Sequence, residues 1–162
     1  MKITLIRHAI AVPSGTEGIP DDERPLTKKG RRRFQKVARG LVEICGRPDV
    51  LLTSPLPRAT QTAEIAAKAW RQVTPTEEPA LAKANIDDIL AVLAQYSPDQ
   101  RVAIVGHEPT LSLLLARLLG GGFSERLTLR KGGVARVDVP GLPMEGGRLE
   151  WFLRPRILLT LG

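Results

Sequence analysis

The two histidines of this sequence each follow an apolar segment, and the chain of 162 residues contains no others. His8 follows an apolar run and an arginine, Arg7, whereas His107 directly follows residues 102–106. Such runs are typical of buried strands, and open α/β sheets bind their ligands where the strands end. A histidine nitrogen can act as a nucleophile. Arginine beside it favours an anionic ligand, most simply a phosphate.

A second arginine, Arg58, follows the apolar residues 50–53 and a proline turn, at the start of a predicted helix. Helix N-termini favour anions because their N–H groups are free and the helix dipole is positive there. The sequence therefore predicts that Arg7, His8, Arg58 and His107 meet at one sheet edge. Together they would form a pocket for a dianionic phosphoryl group, with one histidine as nucleophile and the other groups neutralising charge.

The elements that would position these residues alternate between strand and helix. This alternation predicts an α/β fold in three layers, α/β/α, with a mostly parallel sheet, antiparallel edge strands and a single domain over residues 1–162. We expect a loop over 9–26 and an irregular connector over 73–80. Predicted strands cover 2–7, 50–53, 101–106, 133–139 and 148–153; predicted helices cover about 28–44, 58–71, 86–93 and 110–119.

The composition is that of an ordinary globular protein, with 43% hydrophobic and 25% charged residues. No apolar stretch has the length of a membrane span, so we expect no membrane partner. A single cysteine, Cys45, excludes an internal disulfide and fits a cytoplasmic location. With one cysteine and two histidines, no cluster that resembles a structural zinc site is expected, and no cofactor is predicted.

The net charge of +7 favours acidic partners, such as phosphorylated substrates, nucleic acid or an anionic surface. The densest basic segment, residues 28–33, is predicted to be the solvated face of a helix. A nucleic-acid partner is not expected, because only 4% of the residues are aromatic and could stack on bases. The loop before this segment contains Asp21, Asp22, Glu23 and Arg24, which could gate the pocket or select substrates. Alternatively, the acids could offset the basic residues 28–33, and Arg24 could hold the loop down; the structural alternative is favoured.

Four segments of the chain resemble the signature motifs of the histidine phosphatase superfamily, which has the phosphoglycerate mutase-like fold. They are residues 5–9 (LIRHA), 24–27 (RPLT) with Gly30, 53–63 (TSPLPRATQTA) and 105–109 (VGHEP). Their order matches that of the family, and the small SixA-type phosphohistidine phosphatases are the most similar group. The commoner motif has glycine where this chain has Ala9; alanine is tolerable there unless φ must be positive.

The resemblance implies His8 as the nucleophile that accepts the phosphoryl group, and it implies no metal. It further implies that Arg7, Arg58 and His107 bind the phosphate. Branches of the family place the proton donor differently, and Glu108, beside His107, is one candidate. The other candidates are carboxylates farther back in the chain, namely Glu77, Glu78, Asp87 and Asp88.

The expected activity is that of a metal-independent phosphatase, a hydrolase that acts on a protein phosphohistidine through a phosphohistidine intermediate on His8. A phosphatase of a small phosphorylated metabolite or nucleotide would use the same residues and is the alternative. A non-catalytic phosphate-binding module is a third possibility, although the presence of all four pocket residues argues against it. A good leaving group, such as the histidine of a phosphohistidine, would also lessen the need for an acid.

Overall fold

A six-stranded mixed sheet forms the middle layer of the fold. The structure is a computed structural model that describes residues 1–71, 73–83, 85–122 and 124–162. The strands are β1 (Lys2–Arg7), β2 (Val50–Thr53), β3 (Pro75–Glu77), β4 (Arg101–Gly106), β5 (Val134–Asp138) and β6 (Arg148–Leu153). They lie in the order β3-β2-β4-β1-β5-β6; the first four are parallel, and β5 and β6 pair antiparallel.

Helices cover both faces of the sheet, which confirms the predicted three-layer α/β/α architecture. The helices are α1 (Lys28–Cys45), α2 (Pro57–Trp70), α3 (Ile86–Leu93), α4 (Thr110–Leu118) and the short α5 (Pro155–Leu158). Side chains alternate along β1, so Leu5 joins the core under α3 and α4 while Ile6 joins the core under α1, α2 and α5. The described part of the chain contains no helix that is long and apolar enough to cross a membrane.

The structure corrects the prediction of an irregular connector over 73–80. Residues Pro75–Glu77 form β3, which pairs in parallel with β2 at the edge of the sheet. Its three residues, a proline and two polar groups, carry no apolar periodicity from which a strand could be predicted. The consequence for the site is that Glu77 and Glu78 lie at the same sheet edge as the end of β2.

The start of α1 is fixed against the loop that follows β1. Thr27 caps the helix by accepting a hydrogen bond from the Gly30 N–H at 2.9 Å. A Cβ atom at Gly30 would lie 2.0 Å from the Ile10 carbonyl oxygen, so only glycine allows the loop and the helix to approach this closely. The helix ends before Gly46, whose φ of 61° favours glycine, as the sequence predicts.

Candidate active site

The two histidines lie side by side at the carboxyl edge of the sheet. Strands β1 and β4 are direct neighbours, and the residues that follow them are His8 and His107. Their ring centroids are 5.2 Å apart, and only 5% and 9% of their surfaces are exposed. The predicted meeting of the two imidazoles is therefore present in the structure.

The ring of His8 is held by the backbone of the next residue, Ala9. Its Nδ1 lies 2.7 Å from the Ala9 carbonyl oxygen, and because a carbonyl can only accept, Nδ1 carries the proton. The lone pair is then on Nε2. The Ala9 N–H donates to Thr62 Oγ1 at 3.0 Å, which fixes this turn against α2. Among the described residues only Arg71 combines a side chain with a positive φ, so Ala9 adopts an ordinary conformation.

Burial keeps both imidazoles neutral. The pKa of His8 falls to about 4, mainly because the ring is buried. The hydrogen bond to Ala9 raises this pKa, and the charges of Arg58 and Arg7 lower it. Burial is also the main reason why the pKa of His107 falls to about 3, followed by the charges of His8 and Arg58. A neutral histidine keeps its lone pair available at physiological pH, which is what a nucleophile requires.

The depressed pKa values of the two histidines predict that the free protein loses stability in mild acid. Between about pH 6.5 and about pH 4 the unfolded chain binds more protons than the folded one, so the free energy of unfolding falls as the pH is lowered. We expect a loss of at least about 2 kcal/mol between about pH 7 and about pH 4.5. Chemical denaturation at a series of pH values measures it.

The variant His107→Asn provides the control for this pH dependence, because it removes one of the two buried imidazoles. Its stability should fall less over the same pH range. The pKa values of the Asp21 and Asp49 carboxyls are lowered from their ordinary value of 3.8. Their protonation therefore reduces the stability mainly at more acidic pH than that of the histidines. An unchanged slope in the variant would show that the buried histidines are not the cause.

Two buried arginine N–H donors without a partner lie near His8, together with one unpaired ring nitrogen of His107. Arg7 donates through Nη1 to the Leu129 carbonyl at 2.6 Å, and Arg58 donates through Nη1 to the Asp21 carbonyl at 2.7 Å. The Nε atoms of both arginines and Nδ1 of His107 are buried and unpaired. They are three of the five such side-chain atoms in the described part of the chain. Buried polar atoms are normally satisfied, so unpaired donors grouped at one place indicate the position of a ligand with acceptor atoms.

Both side-chain oxygens of Glu108 take part in hydrogen bonds. Its Oε1 accepts a hydrogen bond from the Leu129 N–H at 2.7 Å, and its Oε2 accepts from the Ser112 hydroxyl at 2.6 Å and the Ser112 N–H at 3.2 Å. Both oxygens are thus acceptors in bonds that join α4 to the segment before β5. Because Leu129 also accepts from Arg7, the geometry favours Glu108 as a residue that positions Arg7 rather than as the acid.

The four alternative carboxylates have surroundings that differ from one another. Glu78 donates its N–H to the Thr53 carbonyl at the sheet edge, while its carboxylate accepts from the Ala80 N–H at 3.0 Å. Glu77 is exposed, as are Asp87 and Asp88 in the first turn of α3. Within the described residues, no hydrogen bond joins any of these four side chains to His8 or His107. Of the four, Glu77 and Glu78 lie at the sheet edge that carries the histidines.

The loop over 9–26 contacts the site through Asp21, which lies beside Arg58. Arg24 ties the loop down, as the sequence suggests, by donating to the Val12 carbonyl and to the Asp21 carboxylate. Asp21 does not offset the basic segment 28–33; its Oδ2 lies 3.6 Å from Nη2 of Arg58. The Asp21 carboxylate therefore forms an ion pair with Arg58, an arginine that is otherwise suited to bind phosphate.

Two polar residues of the site belong to the quoted motif over 53–63 but receive no role from the sequence. Ser54 is fully buried, and its hydroxyl is 2.8 Å from Nε2 of His107. Thr62 donates to the Arg58 carbonyl at 2.7 Å and accepts from Ala9, so it links the two halves of the site. The sequence signal that could have identified them is their position in the same motif as Arg58.

Comparisons with known proteins identify the family of this chain. The sequence model of the histidine phosphatase superfamily (branch 1) matches residues 3–89, and the chain belongs to this superfamily. An uncharacterized protein of Picosynechococcus sp. is 35% identical over 137 residues, which are 83% of this chain and 82% of that protein.

Solved structures of the superfamily have the same fold over nearly the whole chain. A protein from Agrobacterium tumefaciens assigned as the phosphohistidine phosphatase SixA is 25% identical, with a TM-score of 0.80 over 95% of this chain and 97% of that one. The protein histidine phosphatase SixA in complex with tungstate is 23% identical, with a TM-score of 0.84 over 98% and 99%. The alpha-ribazole phosphatase of Shigella flexneri is 21% identical, with a TM-score of 0.79 over 96% and 97%.

Proposed function

We propose that this protein is a metal-independent phosphatase that transfers a phosphoryl group to His8 and then to water. The observation that carries the proposal is the meeting of a neutral, oriented histidine with two buried, unpaired arginine N–H donors and an unpaired ring nitrogen of His107 at the sheet edge. A phosphoryl group brings acceptor oxygens to those donors and an electrophilic phosphorus to the histidine. In this role Arg7, Arg58 and His107 bind the phosphate, as the family resemblance implies.

In the first step, the lone pair on Nε2 of His8 attacks phosphorus. The P–Nε2 bond forms while the bond from phosphorus to the leaving group breaks, and the leaving group keeps the bonding electrons. A leaving histidine whose other ring nitrogen is already protonated departs as neutral imidazole. The two guanidiniums neutralise the negative charge on the oxygens of the transferred phosphoryl group, and their Nε–H groups are free to donate.

In the second step, water attacks the phosphorus of phosphorylated His8. The new P–O bond forms, the P–Nε2 bond breaks, inorganic phosphate leaves and one proton passes to solvent. The hydrogen bond from Nδ1 to the Ala9 carbonyl keeps the ring in one orientation through both steps. Neither step requires a carboxylic acid if the leaving group is imidazole, which agrees with a Glu108 carboxylate that is already engaged as an acceptor.

We propose a protein phosphohistidine as the substrate. The similarity to the Agrobacterium protein assigned as SixA supports this choice. A small phosphorylated metabolite or nucleotide is the second candidate, because an alpha-ribazole phosphatase has the same fold. Both substrates would use the same four residues. A cytoplasmic location remains our prediction from the single cysteine.

Hydrolysis of matched substrates in the presence of EDTA tests the proposal. The substrates are a phosphohistidine peptide, p-nitrophenyl phosphate and a nucleoside monophosphate. We expect EDTA to leave the activity intact and kcat/KM to be highest for the peptide, since its leaving group needs no acid. Preference for the nucleotide would move the assignment to the second candidate, and absence of turnover on all three would indicate a phosphate-binding module.

A further inference from the structure

A cleft of about 640 Å³ opens from Arg7 to the protein surface, and its walls are basic. Five further cations line it: Arg33 on α1, Arg130 and Lys131 before β5, and Arg154 and Arg156 around the start of α5. We refer to these five residues as the basic cleft. They come from three separate parts of the chain, so the sequence gives no sign that they share one surface.

The charges of the basic cleft are not neutralised by the protein. All five side chains are exposed, and the part of the chain that the structure describes places none of them in an ion pair or side-chain hydrogen bond. The residues that line the cleft include no carboxylate. Like charges held close together repel one another, so binding of an anionic partner to this surface is favourable.

Two further depressions share lining residues with the basic cleft. Arg33 also borders a depression of about 410 Å³ that is lined by Lys29, Arg32 and Lys36. Arg130 and Arg154 also border one of about 320 Å³, whose lining includes Glu125. The shared arginines show that the three depressions are neighbours on one surface. A metabolite bound by Arg7 would contact only the central part of them, whereas a protein surface would span them.

We propose that the basic cleft docks an acidic surface that surrounds the phosphohistidine of a protein substrate. This inference rests on the proposed function and adds the chemical character of the partner. Arg7, which directly precedes His8, also lines the cleft, so a protein whose phosphoryl group reaches His8 brings its neighbouring surface onto these cations. Nucleic acid is disfavoured, because no aromatic side chain lines the central cleft to stack on a base.

Each exposed ion pair contributes little, but several acting together raise the rate of encounter and the selectivity for partners. The effect is screened by salt, which distinguishes it from shape complementarity. The expected consequence is a higher kcat/KM for acidic substrates at low ionic strength and a smaller advantage as salt is added.

Two phosphohistidine peptides of equal length test the proposal, one with Asp and Glu around the histidine and one with Asn and Gln. For the natural chain we expect kcat/KM to be about tenfold higher for the acidic peptide at low salt. The triple variant Arg33→Gln, Arg130→Gln, Arg154→Gln should reduce this preference to about twofold or less. The matched control, Arg39→Gln, Arg47→Gln, Lys68→Gln, removes the same charge from exposed positions outside these depressions and should keep the preference.

Equal kcat/KM for the two peptides, or an equal loss of preference in the control variant, would overturn the docking proposal while leaving the phosphatase proposal intact. If neither peptide is hydrolysed, the proposed function fails instead, and fluorescence anisotropy of the unphosphorylated acidic peptide still tests the cleft. Binding that weakens only in the cleft variant supports docking. A single-stranded oligonucleotide that binds the cleft more tightly than the acidic peptide would overturn it.

Discussion

Replacing His8 with asparagine is expected to lower the rate of phosphate release by roughly 10⁴-fold or more. The substitution removes Nε2, the atom that would carry the phosphoryl group, and leaves no other nucleophile in its position. Asparagine can still donate to the Ala9 carbonyl, so the turn after β1 should be retained. Release of inorganic phosphate from a phosphohistidine peptide measures the loss, with thermal unfolding as the check on folding.

A second measurement on the same variant separates loss of chemistry from loss of binding. The arginines remain, so inorganic phosphate should still bind His8→Asn, by calorimetry, within about an order of magnitude of the natural chain. Brief reaction of the natural chain with radiolabelled substrate should leave acid-labile label on the peptide that contains His8. Activity that persists in the variant, or label on another peptide, would exclude His8 as the nucleophile.

The sequence predicts most of the fold because its strands differ clearly from their surroundings. The apolar runs that form β1 and β4 are buried on both faces, and each delivers a histidine to the same edge. The polar strand β3 could not be predicted in this way, since only its pairing with β2 makes it a strand. Local patterns thus suffice where burial is extensive and fail where a neighbour decides the structure.

The site is predictable in its central residues and less so in their partners. Four groups follow from strand ends and a helix start, but the contact of Asp21 with Arg58 joins residues 37 positions apart through an irregular loop. Glu108 illustrates a second limit. Its position beside His107 suggests an acid, yet the local geometry at the start of α4 uses its oxygens to accept from Ser112 and Leu129.

Substituting Arg58 by alanine is expected to lower kcat/KM by about 10² to 10³, because one of the two guanidiniums that would meet the phosphoryl oxygens is lost. Arg58→Lys should recover only part of the loss, since an ammonium keeps the charge but cannot present a planar fork to phosphate. Steady-state kinetics on the phosphohistidine peptide measure both, and inorganic phosphate as a competitive inhibitor reports binding. Equal activity of Arg58→Ala and the natural chain would remove Arg58 from the site.

Asp21→Asn is the matched variant, and its effect should have the opposite sign. The Asp21 carboxylate lies 3.6 Å from Nη2 of Arg58 and competes with a phosphate for the same charge. Asparagine keeps an oxygen that can accept from Ser14 and Arg24, so the loop should remain in place. Because Asp21 is largely exposed and screened, the gain should be modest, with phosphate binding roughly twofold to fivefold more tightly. Weaker binding in Asp21→Asn would mean that the carboxylate orients Arg58 for the substrate instead of competing with it.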